Sequence, residues 1–222
     1  MAMSDAPLVT TRLSLHALAA QVISPLRVQA TGNEIALQVR PGGFGTPELP
    51  GGGWVGVSGT EVVRVGADGD EARTAITSLR AAATFVGLDG AASLPDDPLE
   101  VHAGAAVVLA ATWATGEEAL TTFAAAGAED PSPPILWPEH FDIAIEAGSE
   151  SAGTRATYGV SPGDGDHDEP YAYVGPWTPP ETVGPDTFWN ATAFTGAERP
   201  VGGDDVDELV AFFREAARLL GG

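Results

Sequence analysis

The chain contains neither cysteine nor lysine. Without cysteine there can be no disulfide, zinc–thiolate centre, iron–sulfur cluster or cysteine nucleophile, and the chain fits any redox compartment. Without lysine, 10 arginines alone stand against 31 acidic residues, for a formal net charge of −21. Such a surface repels nucleic-acid phosphates and anionic lipid, so neither is an expected partner. Two plain explanations cover the acidity: arginine displacing lysine in a GC-rich genome, and adaptation to salt. The functional alternative is a role that depends on calcium or another cation. Long apolar runs are also missing. "AGAAVVLAATWATG", from Ala103, is too short and alanine-rich to span a bilayer. The N-terminal "MAMSDAPLVTTRLSLHALAAQVISPLRV" has no basic segment ahead of its apolar stretch, unlike a secretion signal. The expected location is therefore cytoplasmic. Aromatics make up only 7% of residues, which makes the one place where they gather worth following.

At 222 residues the chain can bury about 70% of its unfolded surface and needs no metal or disulfide to hold a core. Leu15, Leu18, Val22 and Leu26 recur at helical spacing, with Ala19 completing the stripe; this predicts a helix over residues 10–24 that Pro25 ends or kinks. "EIALQVR" alternates like a half-buried strand, and "WVGVSG" and "EVVRVG" read as two strands joined at Gly59. "PGGFGTPELPGGGW" between them reads as a hairpin or lid loop with Phe44 at its tip. A short helix is predicted over 77–86 and a long one over 101–126, the latter with Leu109, Trp113, Leu120 and Phe123 on one face. "GAEDPSPP" (127–134) reads as a linker. "FDIAIEA", "TRATYGV", "YAYVG" and "FWNATAF" follow as strands. A final helix opens on the capping-box pair Asp205 and Glu208 and carries Val206, Leu209, Val210, Phe213 and Leu220 as its stripe. This order predicts an α+β fold, with antiparallel sheet packed against an N-terminal, a central and a C-terminal helix. The whole of 1–222 reads as one such domain, with 127–134 as the place where two sub-domains would part.

The densest chemistry is in "SPGDGDHDEPYAYVGPW", residues 161–177. Asp164, Asp166 and Asp168 alternate as a calcium loop begins, but the sixth and twelfth places of an EF-hand are taken by Glu169 and Gly175, so that motif is excluded. A looser oxygen-ligand site on the three aspartates stays open beside the plain reading, an exposed turn rich in residues that tolerate its dihedrals. His167 in this turn and His140 in "LWPEHFD" are candidate bases or metal ligands, should the two segments meet, and Glu169 joins them as a candidate catalytic carboxylate. The residues do not fix a cofactor; a divalent metal is one candidate. Tyr171, Tyr173, Trp177, Phe188 and Trp189 cluster nearby. Tyr171 and Tyr173 share a strand face that would either wall a pocket, with Phe44, Trp177 and Trp189 as further walls and Asn190 as a polar contact, or fill the core.

The segments "PGGFGTPEL", "LWPEHFDIAIE", "SPGDGDHDEPYAYVGPW" and "FWNATAFTGAE" together resemble a family of uncharacterised proteins from high-GC Gram-positive bacteria. More loosely, the chain is similar to a broader domain of unknown function that shares the "WPxHFD" and "EPYxYV" elements. The resemblance spans most of the chain and implies no activity. It does imply that Gly43, Phe44, Gly45, His140, His167, Glu169, Pro170, Tyr171, Trp177 and Asn190 fall in the family's signature segments. Asp166 and Asp168 around His167 are departures from that pattern.

Two functions follow as expectations. In the first, a small-molecule pocket joins the second-half sheet to the Gly-rich loop. His140, His167, Glu169 and Asn190 supply polar contacts, and proton transfer or metal-assisted hydrolysis is the reaction if there is one. In the second, a non-catalytic acidic surface binds a basic partner or another copy of itself, and the aromatics are structural. Ligand identity and oligomeric state are not legible in the residues.

Overall fold

The apolar stripe of the first third builds a longer helical rod than Pro25 would allow in a regular helix. Helix α1 (Asp5–Leu18) passes into a π-helical turn (Ala19–Ile23) and resumes as α2 (Ser24–Thr31). At the junction the Ser24 amide bonds to the Ala19 carbonyl, one residue further back than in an α-helix. The wider turn accommodates a proline that brings no N–H, so the rod continues instead of ending. The computed structural model describes residues 5–202 and 206–221; Asp205 of the expected capping box lies outside them.

The described chain divides into two compact units, one reaching to Ala111 and adding Leu136–Phe141, the other comprising Thr112–Ile135 and Asp142 onward. The first unit carries an antiparallel meander of five strands in chain order: β1 (Gln38–Arg40), β2 (Gly43–Gly45), β3 (Trp54–Ser58), β4 (Glu61–Val65) and β5 (Glu71–Ala75). Strand β2 is a correction, because its glycines read as loop. They are there for close packing: a Cβ on Gly43 would lie 2.3 Å from the Val57 carbonyl oxygen of β3. Phe44 is therefore no lid tip. It is fully buried in β2, with its ring edge-on to Phe141 at 5.2 Å. Strand β5 escaped the sequence because "EARTA" is a polar edge strand without an apolar face. Helix α3 (Leu79–Val86) starts at Ser78, whose side chain accepts the Ala81 amide.

Segment 136–141 joins this unit through paired backbone bonds between Leu37 and Leu136. His16 fixes its turn. The His16 Nε2–H donates to the carbonyls of Pro138 (3.0 Å) and Glu139 (3.1 Å), and the ring stacks on Phe141 at 5.1 Å. Phe141 has φ +60°, a left-handed conformation unusual for a bulky residue. Tight packing by His16 and Phe44 is what holds it there.

The unit boundary falls within the long helix α4 (Ala103–Ala125). Beyond it come β6 (Ile135–Trp137), β7 (Asp142–Ala147), β8 (Ala156–Ser161), β9 (Tyr171–Pro176), β10 (Ala197–Pro200) and α5 (Val206–Gly221). Within the second unit the strand order is β10-β9-β8-β7, and the pairs β7–β8, β8–β9 and β9–β10 are antiparallel, while Leu136 and Trp137 of β6 belong to the first unit. Alternation sorts its side chains cleanly. Ile143, Ile145, Tyr158, Val160, Ala172 and Val174 share one face, all nearly inaccessible. In the second unit α4 and α5 cover that face: Phe123 and Phe213 flank Tyr158 at 4.8 and 5.9 Å, and Gly116 lets α4 approach Ile143 and Val160. Segment 129–132 is hydrogen-bonded along the end of β7. "FWNATAF" is a loop between β9 and β10, which corrects the expected strand; Trp189 is anchored in the core against Phe188 at 5.1 Å. The α+β architecture is as expected.

Candidate binding site

Because one face of the second sheet is spent on the helices, the same alternation puts its polar residues together on the other. Register aligns Tyr171 of β9 with Ser161 of β8, and Tyr173 with Gly159 on one side and Glu198 of β10 on the other. Gly159 in turn opposes Ala144 of β7, so Asp142 falls one step along on the same face. Gly159 is what allows these residues to interact across strands. A Cβ there would sit 2.5 Å from Cε1 and Cζ of Tyr173 and 2.6 Å from its hydroxyl. The Tyr173 ring therefore lies flat over β8 and donates its hydroxyl hydrogen bond to Asp142 Oδ2. Asp142 is only 5% exposed. A carboxylate at that depth needs donors, and the phenol is one of them. Phe194 packs edge-on against Tyr173 at 6.0 Å from the β9–β10 loop.

The turn between β8 and β9 folds onto this face. Asp164 organises it: Oδ1 accepts the backbone N–H of Asp166 (2.8 Å) and of His167 (2.9 Å), and Oδ2 accepts the Tyr171 hydroxyl at 2.5 Å. This is the Asx-turn chemistry that makes aspartate common in turns, here extended by a side-chain network. The His167 ring lies over Tyr171 with centroids 4.1 Å apart. Its Nδ1 meets Asp164 Oδ1 at 3.1 Å, and its Nε2 meets Glu198 Oε2 at 3.3 Å. Carboxylates only accept hydrogen bonds, so a ring placed between Asp164 and Glu198 is favoured in its doubly protonated form.

Electrostatics agree with the geometry. Burial works against a charged His167, but the hydrogen bond and charge of Asp164, reinforced by Glu198, outweigh it and hold His167 above its ordinary value. For Asp164, burial favours the neutral acid. The bonds from Tyr171, from the Asp166 amide and from His167 prevail and keep it below the usual carboxylate range. Burial raises both tyrosines, Tyr171 further through Asp164 and Tyr173 further through Asp142, so each remains a protonated donor.

Seen against the expected site, the cluster keeps some residues and leaves others aside. Asp164, His167, Tyr171 and Tyr173 come together in the second unit. Asp166, Asp168 and Glu169 are exposed on the outside of the turn. Among the described residues no three histidines or carboxylates are placed to hold a metal ion. Asp164 directs its oxygens to its own turn and to Tyr171, so the triple-aspartate site is not assembled. His140 is an exposed turn residue of the first unit, where Phe44 also lies. Asn190 Oδ1 accepts the Glu198 amide at 2.9 Å and so pins the β9–β10 loop to β10. Trp177 stands apart, 48% exposed just beyond β9, with the Arg155 guanidinium 5.3 Å from its ring centre. Sequence reasoning missed Glu198, Gly159 and the bond from Tyr173 to Asp142. Glu198 had no local mark in "AERP". Gly159 had one: a glycine inside a strand pattern signals close approach of a neighbour.

Compared with known proteins, the chain matches no family model, no curated protein and no solved structure. Among the described residues no helix is long and apolar enough to cross a membrane. Geometry and charge therefore carry the functional reading.

Proposed function

We propose that this protein acts by binding cationic ligands, through the carboxylates and aromatic rings of its second unit, with His167 as a part of that cluster and not a general base. The observation that carries this reading is the placement of His167 between Asp164 and Glu198. A general base or a metal ligand must offer a nitrogen lone pair, and the neighbouring carboxylates favour the protonated ring, which has none. In this cluster positive charge is what the site takes in. The same preference extends over a chain with 31 carboxylates and 10 arginines, whose field draws cations toward it. Stacked Tyr171 and His167 show that planar groups are held there by their faces as well as by charge. The ligand class is accordingly a small amine or guanidine, or a basic segment of another chain. Calorimetric titration with spermine, arginine amide and an arginine-containing peptide at low ionic strength tests this. Binding that weakens steadily as salt is added is the expected result. Absence of binding to all three refutes it, as does turnover that depends on His167.

A further inference from the structure

At the far end of the second sheet from the Asp164 turn, the β7–β8 loop, the start of the segment after α4 and the residue following β9 enclose an open groove of about 830 Å³. Glu129, Asp130 and Glu150 line it together with Arg155 and Trp177. Acidic residues on an exposed loop would normally be nothing more than a solvated surface. Three observations distinguish this one. It is concave. Its indole is half exposed even with Arg155 against it. And the groove already holds a guanidinium: Arg155 lies over the Trp177 ring at 5.3 Å while its nitrogens reach Asp130 at 3.2 Å, Glu146 at 3.1 Å and the Gly148 carbonyl at 3.0 Å. Stacking on an indole combined with forked bonds to carboxylates is the mode that suits arginine and that lysine fills poorly. Glu129 and Glu150 line the same groove, and neither carboxylate is paired with a basic group among the described residues. The groove thus has ring surface and acceptors for one more planar cation than the chain itself supplies.

The geometry points to a docking site for an arginine side chain presented by a basic peptide segment, stacked on Trp177 beside Arg155 and bonded to Glu129 and Glu150. This rests on the cation-binding reading above and narrows it to one place and one partner class. The peptide supplies a charge opposite to the groove's, and the indole supplies affinity that salt does not screen.

The test uses the full chain and a capped Gly-Arg-Gly-Arg-Gly peptide, with its lysine counterpart and spermine as competitors, read by calorimetry and by the indole N–H resonance of Trp177. The arginine peptide is expected to shift that resonance and to bind several-fold more tightly than the lysine peptide. Trp177→Ala weakens binding by about tenfold, Trp177→Phe retains most of it by keeping a ring face, and Glu150→Gln weakens it several-fold. Circular dichroism confirms that each variant is folded. Asp97→Asn, an exposed carboxylate of the first unit, serves as the charge control and leaves binding unchanged. If the peptide binds wild type and Trp177→Ala equally, or Asp97→Asn costs as much as Glu150→Gln, the groove is overturned while cation binding stands. If wild type takes up no cation at all, the broader reading falls, and the groove with it.

Discussion

Replacing Gly159 with alanine tests whether the polar face depends on the crossing of Tyr173 over β8. The new Cβ would lie 2.5 Å from two carbons of the Tyr173 ring, where carbon atoms settle at roughly 3.5–4.0 Å. The ring must lift by about 1 Å or more, at an overpacking cost of about 1–3 kcal/mol. Lifting also draws the hydroxyl away from Asp142, and a hydrogen bond to a buried charge contributes about 1.5–3 kcal/mol. Alanine returns about 0.5–1 kcal/mol relative to glycine within a strand. Because the two penalties share one displacement they do not add fully, and the net loss is about 2–4 kcal/mol. Urea unfolding followed by far-UV circular dichroism and tryptophan emission measures it. In a Tyr173→Ala background there is no ring to strike, so the same Gly159→Ala change should be neutral or slightly stabilising. The coupling energy between the two positions is then about 2 kcal/mol or more. A neutral Gly159→Ala in the otherwise wild-type chain, or an equal penalty in both backgrounds, would refute the crossing.

The Asp164–His167–Glu198 network also sets a dependence on pH. His167 is raised on folding, so its contribution is complete below its unfolded value of about 6.5 and is lost as pH rises through the folded value. Asp164 is lowered, so its contribution is present above its unfolded value of about 3.9 and is lost as pH falls through the folded value. The melting temperature of the wild type should therefore decline on the alkaline side of about pH 6.5, and His167→Gln should remove that part of the decline; an unchanged profile would separate His167 from the carboxylates. Calcium should leave the melting temperature where it is, because Asp164 already directs its oxygens to its own turn and Tyr171; a rise specific to calcium would restore the triple-aspartate site.

Much of the fold was legible because burial leaves a periodic trace. Ile143 and Ile145 alternate with Asp142 and Glu146, and the helices betray themselves by apolar residues at three- and four-residue spacing. The errors fall where that trace is absent or imitated. Strand β5 is a polar edge, Gly43 and Gly45 mark tight strand packing as readily as a loop, and Phe188 and Trp189 anchor a loop with the spacing of a strand. Pro25 ends a regular helix but not one that can widen into a π turn. The site divides the same way. Asp164, His167, Tyr171 and Tyr173 are near neighbours in sequence, and a turn feeding a strand brings them together. Glu198 and Asp142 arrive from other strands through register alone, which no short motif encodes. Charge composition shows the excess of carboxylates, but not that Asp164 and Glu198 would flank His167.

The protonation of His167 measures the central claim most directly. Imidazole ¹⁵N shifts followed across a pH titration report each ring nitrogen separately. A midpoint above the ordinary value of about 6.5, with both nitrogens protonated up to it, is the predicted result. A midpoint at or below that value, with a free lone pair on either nitrogen at neutral pH, would contradict it.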